Sequence, residues 1–233
     1  MKDLLPLLKP KKINSNKIHL GPCEDGGYVI NEIVLENCSA LFTYGVGQEL
    51  RYEFDFNEKY KKPVYMFDHT VDHDLNGPIF FFKEGLGFTE NCKDVIEHYN
   101  KYNIQGNIFL KIDTEGAEYD YFAKVDIDKL ASFTDGICLE VHNLSDENYR
   151  NKCFEILTII NKHFSMTHIH GNNHGPLFEL QGFKVPKTLE LSFVNKRLIS
   201  YEEIDTAKYP IKDLDCSNVR NSVDYDLGFI NAF

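Results

Sequence analysis

The chain has 233 residues, 42% of them hydrophobic and 26% charged, with a formal net charge of −11. That length suits one α/β domain with a full core, and the composition excludes fibrous and disordered classes. The acidic balance excludes a nucleic-acid surface, which needs clustered Lys and Arg; the longest basic run, KPKK at Lys9 to Lys12, reads as a solvated arm.

The six cysteines (Cys23, Cys38, Cys92, Cys138, Cys153, Cys216) form no C-x-x-C pair. They predict reduced thiols in a cytoplasmic protein rather than a zinc ribbon or a disulfide framework. The first residues, MKDLLPLLKPKK, carry an acid and two prolines and do not read as an export signal. No apolar run reaches the length of a membrane span, so no membrane insertion is expected.

After an irregular stretch containing GPCEDGGYVI, strand-like runs alternate with helical patterns, the order of an α/β fold. The runs are SALFTYGV (39–46), PVYMFDH (63–69), PIFFFKE (78–84), NIFLKIDT (107–114), DGICLEVH (135–142), FSMTHIH (164–170) and TLELSFVNK (188–196). Helical patterns fall at 49–60, 90–102, 115–125 and 146–164. In the last of these, Cys153, Ile156, Leu157 and Ile160 make a stripe at the 3.6-residue period. The first five strands imply parallel pairing with right-handed crossovers. Between the last two, HGNNHGPLFELQGFKVPK has no helical pattern, so an antiparallel hairpin with a long loop is expected. The tail from Tyr201 onward reads as acidic and irregular.

The first strand ends in YGVGQELRYEF, where Gly45 and Gly47 permit a sharp turn and close approach of a ligand to the next helix. Roughly 20 residues on, Asp68 ends the second strand, where an acid accepts hydrogen bonds from ribose hydroxyls. Together with their neighbours Tyr44 and His69 they predict an adenosine-type ligand, with NAD and S-adenosylmethionine both open at this point. A third fingerprint glycine is missing, and so is a G-x-x-x-x-G-K phosphate loop; these disfavour NAD and ATP. Asp25, in EDGGYV, is expected to close over the cofactor.

In an open parallel sheet, ligands bind outside the carboxyl ends of the strands. Asp113, Glu140 with His142, and His170 reach that rim from three strands. Asp113, Glu140 and His142 are the candidate ligands of a divalent metal, and His142 or His170 the candidate base for a hydroxyl proton. Lys111, in a buried strand, needs a partner, and Glu140 is the expected one. In the turn LKIDTEGAEYDYF, Glu115 and Glu118 are assigned to the first turn of a helix, whose dipole favours negative charge without any ligand, and Asp120 to solvent.

DGGYV, YGVG, FDHT, LKIDTEGAEYD, LEVH, HIHGNN and VPKTLELSFV, in that order and spacing, resemble the FkbM-like family of S-adenosylmethionine-dependent methyltransferases, from about residue 22 to 197. The resemblance implies a Rossmann-like class I methyltransferase fold, with seven mostly parallel strands, the last antiparallel, and helices on both faces. It implies a single domain, 1–233, with an N-terminal cap segment (1–38), a core sheet (39–197) and a C-terminal extension (198–233). The implied activity is O-methylation of a small-molecule sugar, nucleotide-linked or in a polysaccharide. Gly45 and Gly47 would line the methionine and ribose part of the cofactor, Asp68 the ribose hydroxyls, and Glu84, Gly85 and Leu86 the adenine. Asp113 would stand where donor and acceptor meet and carry the chemistry. A nucleotide-binding protein without methyl transfer and an NAD-dependent oxidoreductase are the competing readings, and a homo-oligomer is left open.

Overall fold

The apolar runs that alternate with helical patterns become the strands of one sheet in a computed structural model that describes residues 3–232. These are β1 (Ala40–Tyr44), β2 (Val64–Phe67), β3 (Ile79–Phe82), β4 (Ile108–Ile112), β5 (Thr134–Val141), β6 (Phe164–Leu180) and β7 (Phe183–Asn195). Their order in space is β6-β7-β5-β4-β1-β2-β3. β7 alone runs opposite in direction to the other six strands. The chain is therefore a mixed α/β protein with a seven-stranded, mostly parallel sheet.

Among the described residues six α-helices accompany the sheet: α1 (Glu32–Asn37), α2 (Arg51–Tyr60), α3 (Val95–Lys101), α4 (Ala117–Phe122), α5 (Ile127–Phe133) and α6 (Glu147–Ile160). Alternation along the central strand sorts them into two layers. Phe109 packs with Val34 and Leu35 of α1 and Phe56 of α2. Ile108, Leu110 and Ile112 face Val95, Phe122, Leu130 and Ile156 of the other four. The stripe Cys153, Ile156, Leu157 and Ile160 on α6 is buried as its spacing predicts. Side chains of Asp94, Asp126 and Asp146 cap α3, α5 and α6 by accepting backbone N–H groups left free at the helix starts.

Several sequence expectations are corrected. The segment expected to be a long loop continues β6 and β7, which shift register between Asn172 and Leu177 and turn at Gln181 and Gly182, both at positive φ. Its alternating pattern buries Leu180 and Val185 and exposes Glu179 and Lys184, which a two-residue strand period explains and a loop does not. The tail is not wholly irregular: Glu202–Ile204 pairs with Lys11–Ile13, and Tyr209, Leu227, Phe229 and Ile230 join the core. α1 and α5 fall outside the helical patterns of the sequence.

The expectation of six reduced thiols also fails, because Cys23 and Cys216 form a disulfide while Cys38, Cys92, Cys138 and Cys153 stay free. The two partners are 193 residues apart, and no local spacing signals a pairing made by the fold.

Candidate functional site

The site begins where the strand tips of β1, β2 and β4 are tied together. Asp113 N–H donates to the Tyr44 carbonyl (3.0 Å) and Gly45 N–H to the Phe67 carbonyl (3.1 Å). Gly45 has φ +74°, and a Cβ there would fall 1.6 Å from the Asp113 carbonyl oxygen, so both the turn and the close approach demand glycine. Gly47, at φ +60°, donates its N–H to Asp68 Oδ2 (3.1 Å), while Thr70 N–H and Oγ1 donate to Asp68 Oδ1 (2.7 and 2.6 Å). Burial pushes the Asp68 carboxyl up, but these donors outweigh it and hold the group below the usual carboxylate range.

A cavity of ≈ 420 Å³ opens beside this turn, lined among others by Asp25, Gly45, Gly47, Asp68, His69, Gly85 and Asp113. Three sequence candidates stand behind its wall instead. Tyr44 turns into the core, stacked on Phe67 (4.8 Å between ring centres) with its hydroxyl 2.8 Å from His98 Nδ1. Glu84 contacts His98 Nε2 and Lys101 Nζ, each at 2.8 Å, and Leu86 is buried.

Beyond the tip of β4 the acids gather. Tyr28 Oη lies 2.9 Å from Glu140 Oε2 and 3.2 Å from Asp113 Oδ2, so its single proton serves one carboxylate at a time. Asn172 Nδ2 donates to Glu140 Oε1 (2.9 Å). His142 Nδ1 donates to Glu118 Oε1 (3.1 Å), a carboxylate being acceptor only. That bond aims Nε2 at Glu115 Oε2 (3.5 Å), Asp113 Oδ1 (3.6 Å) and Glu140 Oε1 (3.7 Å).

Glu115 and Glu118 therefore do more than answer a helix dipole. Glu115 and Gly116 take positive φ (54° and 117°), α4 starts only at Ala117, and Glu115 is left outside the helix facing His142. Glu118 is 0% exposed; its Oε2 accepts from Thr114 Oγ1 (3.0 Å) and Gly116 N–H (2.8 Å), which fixes it behind the imidazole. Asp120 does face solvent, paired with Lys152 at 3.1 Å.

Asp113, Glu115 and His142 can each offer a ligand atom with all three within 4.8 Å of one another, a donor set suited to a divalent cation. The sequence expectation named Glu140 in place of Glu115. Both Glu140 oxygens are already hydrogen-bonded, to Tyr28 and Asn172, whereas the Glu115 side chain is 85% exposed and free to turn. Burial raises the Asp113 carboxyl against the opposing charges of Lys111 and His142. It raises Glu140 further, with Asp113 and Glu190 adding to the effect. Burial lowers His142, but the Glu118 hydrogen bond and the surrounding acids more than reverse it, so the imidazole holds its proton above its ordinary range.

Lys111 does not pair with Glu140. Its Nζ lies 3.8 Å from Glu53 Oε1 and over the rings of Tyr28 (5.1 Å) and Tyr52 (5.5 Å). His170 does not join the rim either: Nδ1 meets Glu190 (2.9 Å), Nε2 meets Asp224 (2.8 Å), and it lines neither cavity of the site. Burial opposes its charge, yet these carboxylates push it up to about 11, so it is no base near neutrality.

A second cavity of ≈ 340 Å³ shares Asp25, Asp113 and Glu115 with the first and adds Glu140, His142, Asn172, His174, Gly175, Lys187 and Thr188. Asp25 stands between the two, its N–H donating to the Asn218 carbonyl (3.2 Å) and its Oδ1 facing Asn218 Nδ2 (3.3 Å) and Asn172 Nδ2 (3.4 Å). Tyr28, Asn172, His174 and Lys187 escaped the sequence reading. Tyr28 and Asn172 lie inside the blocks DGGYV and HIHGNN, and their neutral side chains do not break the local pattern as a charge does.

No protein-family model matches the chain, and no curated protein matches it. Among solved structures it is similar to VP4 of bluetongue virus, described as a multifunctional RNA-capping production line. That likeness has 12% identity and a TM-score of 0.36, covering 85% of this chain and 30% of the viral one, so the chain spans under a third of that protein. It is also similar to the fibrillarin pre-rRNA processing protein of Methanococcus jannaschii, with 10% identity, a TM-score of 0.39, and 78% and 83% of the two chains covered.

Proposed function

We propose that the protein is an S-adenosylmethionine-dependent O-methyltransferase of the FkbM-like kind, acting on a carbohydrate hydroxyl, in a nucleotide-linked or polysaccharide sugar. One observation carries the reading: the glycine-turn cavity and the acid-lined cavity meet at Asp113, so a donor in one and a hydroxyl in the other face each other across that carboxylate. Charge supports the choice of donor. Asp25, Glu49, Asp68, Asp113 and Glu115 line the first cavity and attract a sulfonium. The pyrophosphate of a nicotinamide dinucleotide would meet the same acids with Lys111, already engaged by Glu53, as the one lysine there among the described residues. The second cavity has no Phe or Tyr among its described lining residues, which suits a hydroxyl-rich acceptor better than a flat aromatic one.

In the reaction the acceptor oxygen bonds to the methyl carbon as the C–S bond breaks, and the sulfonium becomes a neutral thioether. Asp113 orients the hydroxyl and takes its proton. Glu118 holds His142 so that its Nε2 faces the reacting oxygen's surroundings. Asp113, Glu115 and His142 would hold a divalent cation; such an ion lowers the pKa of a bound hydroxyl. The cytoplasmic expectation loses its main support, since the Cys23–Cys216 bridge is of the kind that persists in oxidising compartments.

Calorimetric titration with S-adenosylmethionine, S-adenosylhomocysteine and NAD tests the donor. The two sulfur nucleotides are expected to bind and NAD not; the reverse result ends the proposal. Asp113→Ala is expected to abolish turnover and leave S-adenosylhomocysteine affinity largely intact, and full activity in that variant removes Asp113 from the chemistry.

A further inference from the structure

The second cavity takes its carboxylates from Asp25, Asp113, Glu115 and Glu140, whereas its lining residues from β6 and β7 carry none. They include His174, Gly175 and Lys187. Among the described residues no carboxylate lies within ion-pairing distance of Lys187, whereas Lys17, Lys83, Lys101, Lys111 and Lys152 all have acidic partners. Lys11, Lys62 and Lys93 are likewise half-buried without a carboxylate partner among the described residues, and what sets Lys187 apart from them is its place in the lining of the cavity that holds Asp113 and His142.

The backbone around these two residues is fixed from the acid rim. Asn172 spans the cavity: its Nδ2 donates to Glu140 Oε1 and its Oδ1 accepts His174 N–H, both at 2.9 Å. The Lys187 carbonyl accepts Leu144 N–H (2.9 Å), tying β7 to the chain two residues after His142. The aliphatic stem of Lys187 lies along Gly175, where a Cβ would meet Lys187 Cβ at 3.5 Å and Cδ at 3.8 Å. The stem is thus supported and the ammonium left over, an arrangement in which apolar packing holds a charge in reach of a ligand.

Building on the methyl-transfer reading, we propose that the acceptor is an acidic sugar, whose carboxylate or phosphate or sulfate ester is bound by Lys187 with His174 while one of its hydroxyls lies against Asp113. The two kinds of lining residue suit the two kinds of group on such a molecule. Carboxylates accept hydrogen bonds from hydroxyls, and an anion placed among them would be repelled, so the acidic group has one favourable place, at the strand wall. A volume of ≈ 340 Å³ is at the small end for ligand pockets (roughly 300–1,000 Å³), enough for about one sugar ring.

The test begins with the purified, disulfide-intact protein and S-adenosylhomocysteine; absence of binding overturns the methyl-transfer reading and this one with it. With S-adenosylhomocysteine bound, ligand-observed NMR titrations then compare glucose and galactose with their uronates, 6-phosphates and 6-sulfates. At least one acidic class is expected to bind about tenfold more tightly than its neutral parent, as a charge-assisted contact provides, and the uronate and ester arms identify which anion it is. Lys187→Met is expected to erase that preference without altering S-adenosylhomocysteine affinity, and Lys187→Arg to keep most of it. Equal binding of neutral and acidic sugars, binding of none, or a preference that survives Lys187→Met overturns the proposal while leaving the methyl-transfer reading standing.

Discussion

Replacing Glu118 by Gln isolates the part this fully buried carboxylate plays in setting His142. Wild-type Glu118 accepts on both oxygens, from Thr114 Oγ1 and Gly116 N–H on one and His142 Nδ1–H on the other. An amide keeps only one oxygen. If that oxygen stays with Thr114 and Gly116, the NH₂ group faces His142 Nδ1 and forces it to become an acceptor, so the ring proton moves to Nε2. Nε2–H would then point at Asp113, Glu115 and Glu140, 3.5–3.7 Å away, with no lone pair for a cation or a proton. A hydrogen bond to a charged group contributes about 1.5–3 kcal/mol against roughly 1 for a neutral one. A destabilisation of about 1–2 kcal/mol is therefore expected in urea unfolding. Groups that orient a metal-binding histidine typically change metal affinity about 10–100-fold, and for the cation site proposed at Asp113, Glu115 and His142 a loss in that range is expected in Mn²⁺ titration. Glu118 is the chief influence raising the His142 pKa, so the variant's imidazole should titrate lower by ¹⁵N NMR. An unchanged tautomer and titration in Glu118→Gln would refute the claim that this carboxylate sets His142.

Gly45→Ala places a side chain at φ +74° and a Cβ 1.6 Å from the Asp113 carbonyl, so the strand tips must part. The backbone alone costs about 1–2 kcal/mol; a lower melting temperature and loss of S-adenosylhomocysteine binding are expected by thermal shift. His170, raised to about 11 by Glu190 and Asp224, contributes stability that is full below its unfolded pKa near 6.5 and is lost as pH rises toward about 11. The stability gap between wild type and His170→Gln in urea unfolding should therefore be larger at pH 6 than at pH 10. Cys23 lies two residues before Asp25, and Cys216 two before Asn218, which holds Asp25. The Cys23→Ser, Cys216→Ser double variant should lose about 2–4 kcal/mol of stability and show faster amide exchange around Asp25, and protection equal to wild type there would show that the bridge does not hold Asp25 in place.

Periodicity made most of the sheet legible before any coordinates. All seven strands of the sheet overlap the apolar runs read from the chain, because burying a strand writes a pattern that local residues carry. Gly45 and Asp113 were legible for a related reason: special backbone geometry and a charge at the end of an apolar run both break the local pattern. The antiparallel hairpin of β6 and β7 is legible, but its distal half reads as a loop because Gly, Asn and Pro outweigh a weaker alternation that pairing completes.

Of three acids within six residues, the chain pattern sends Asp120 to water but does not separate Glu115 from Glu118. Two positive φ angles at 115 and 116 turn one toward His142, helix packing buries the second, and the third reaches water. The pairings of Cys23 with Cys216, Lys111 with Glu53 and His170 with Asp224 join positions from 54 to 193 residues apart. Local composition thus determined the layers and the strand tips where chemistry gathers. Which neighbours meet there was decided by the tertiary fold, because a contact between distant segments depends on the path of everything between them.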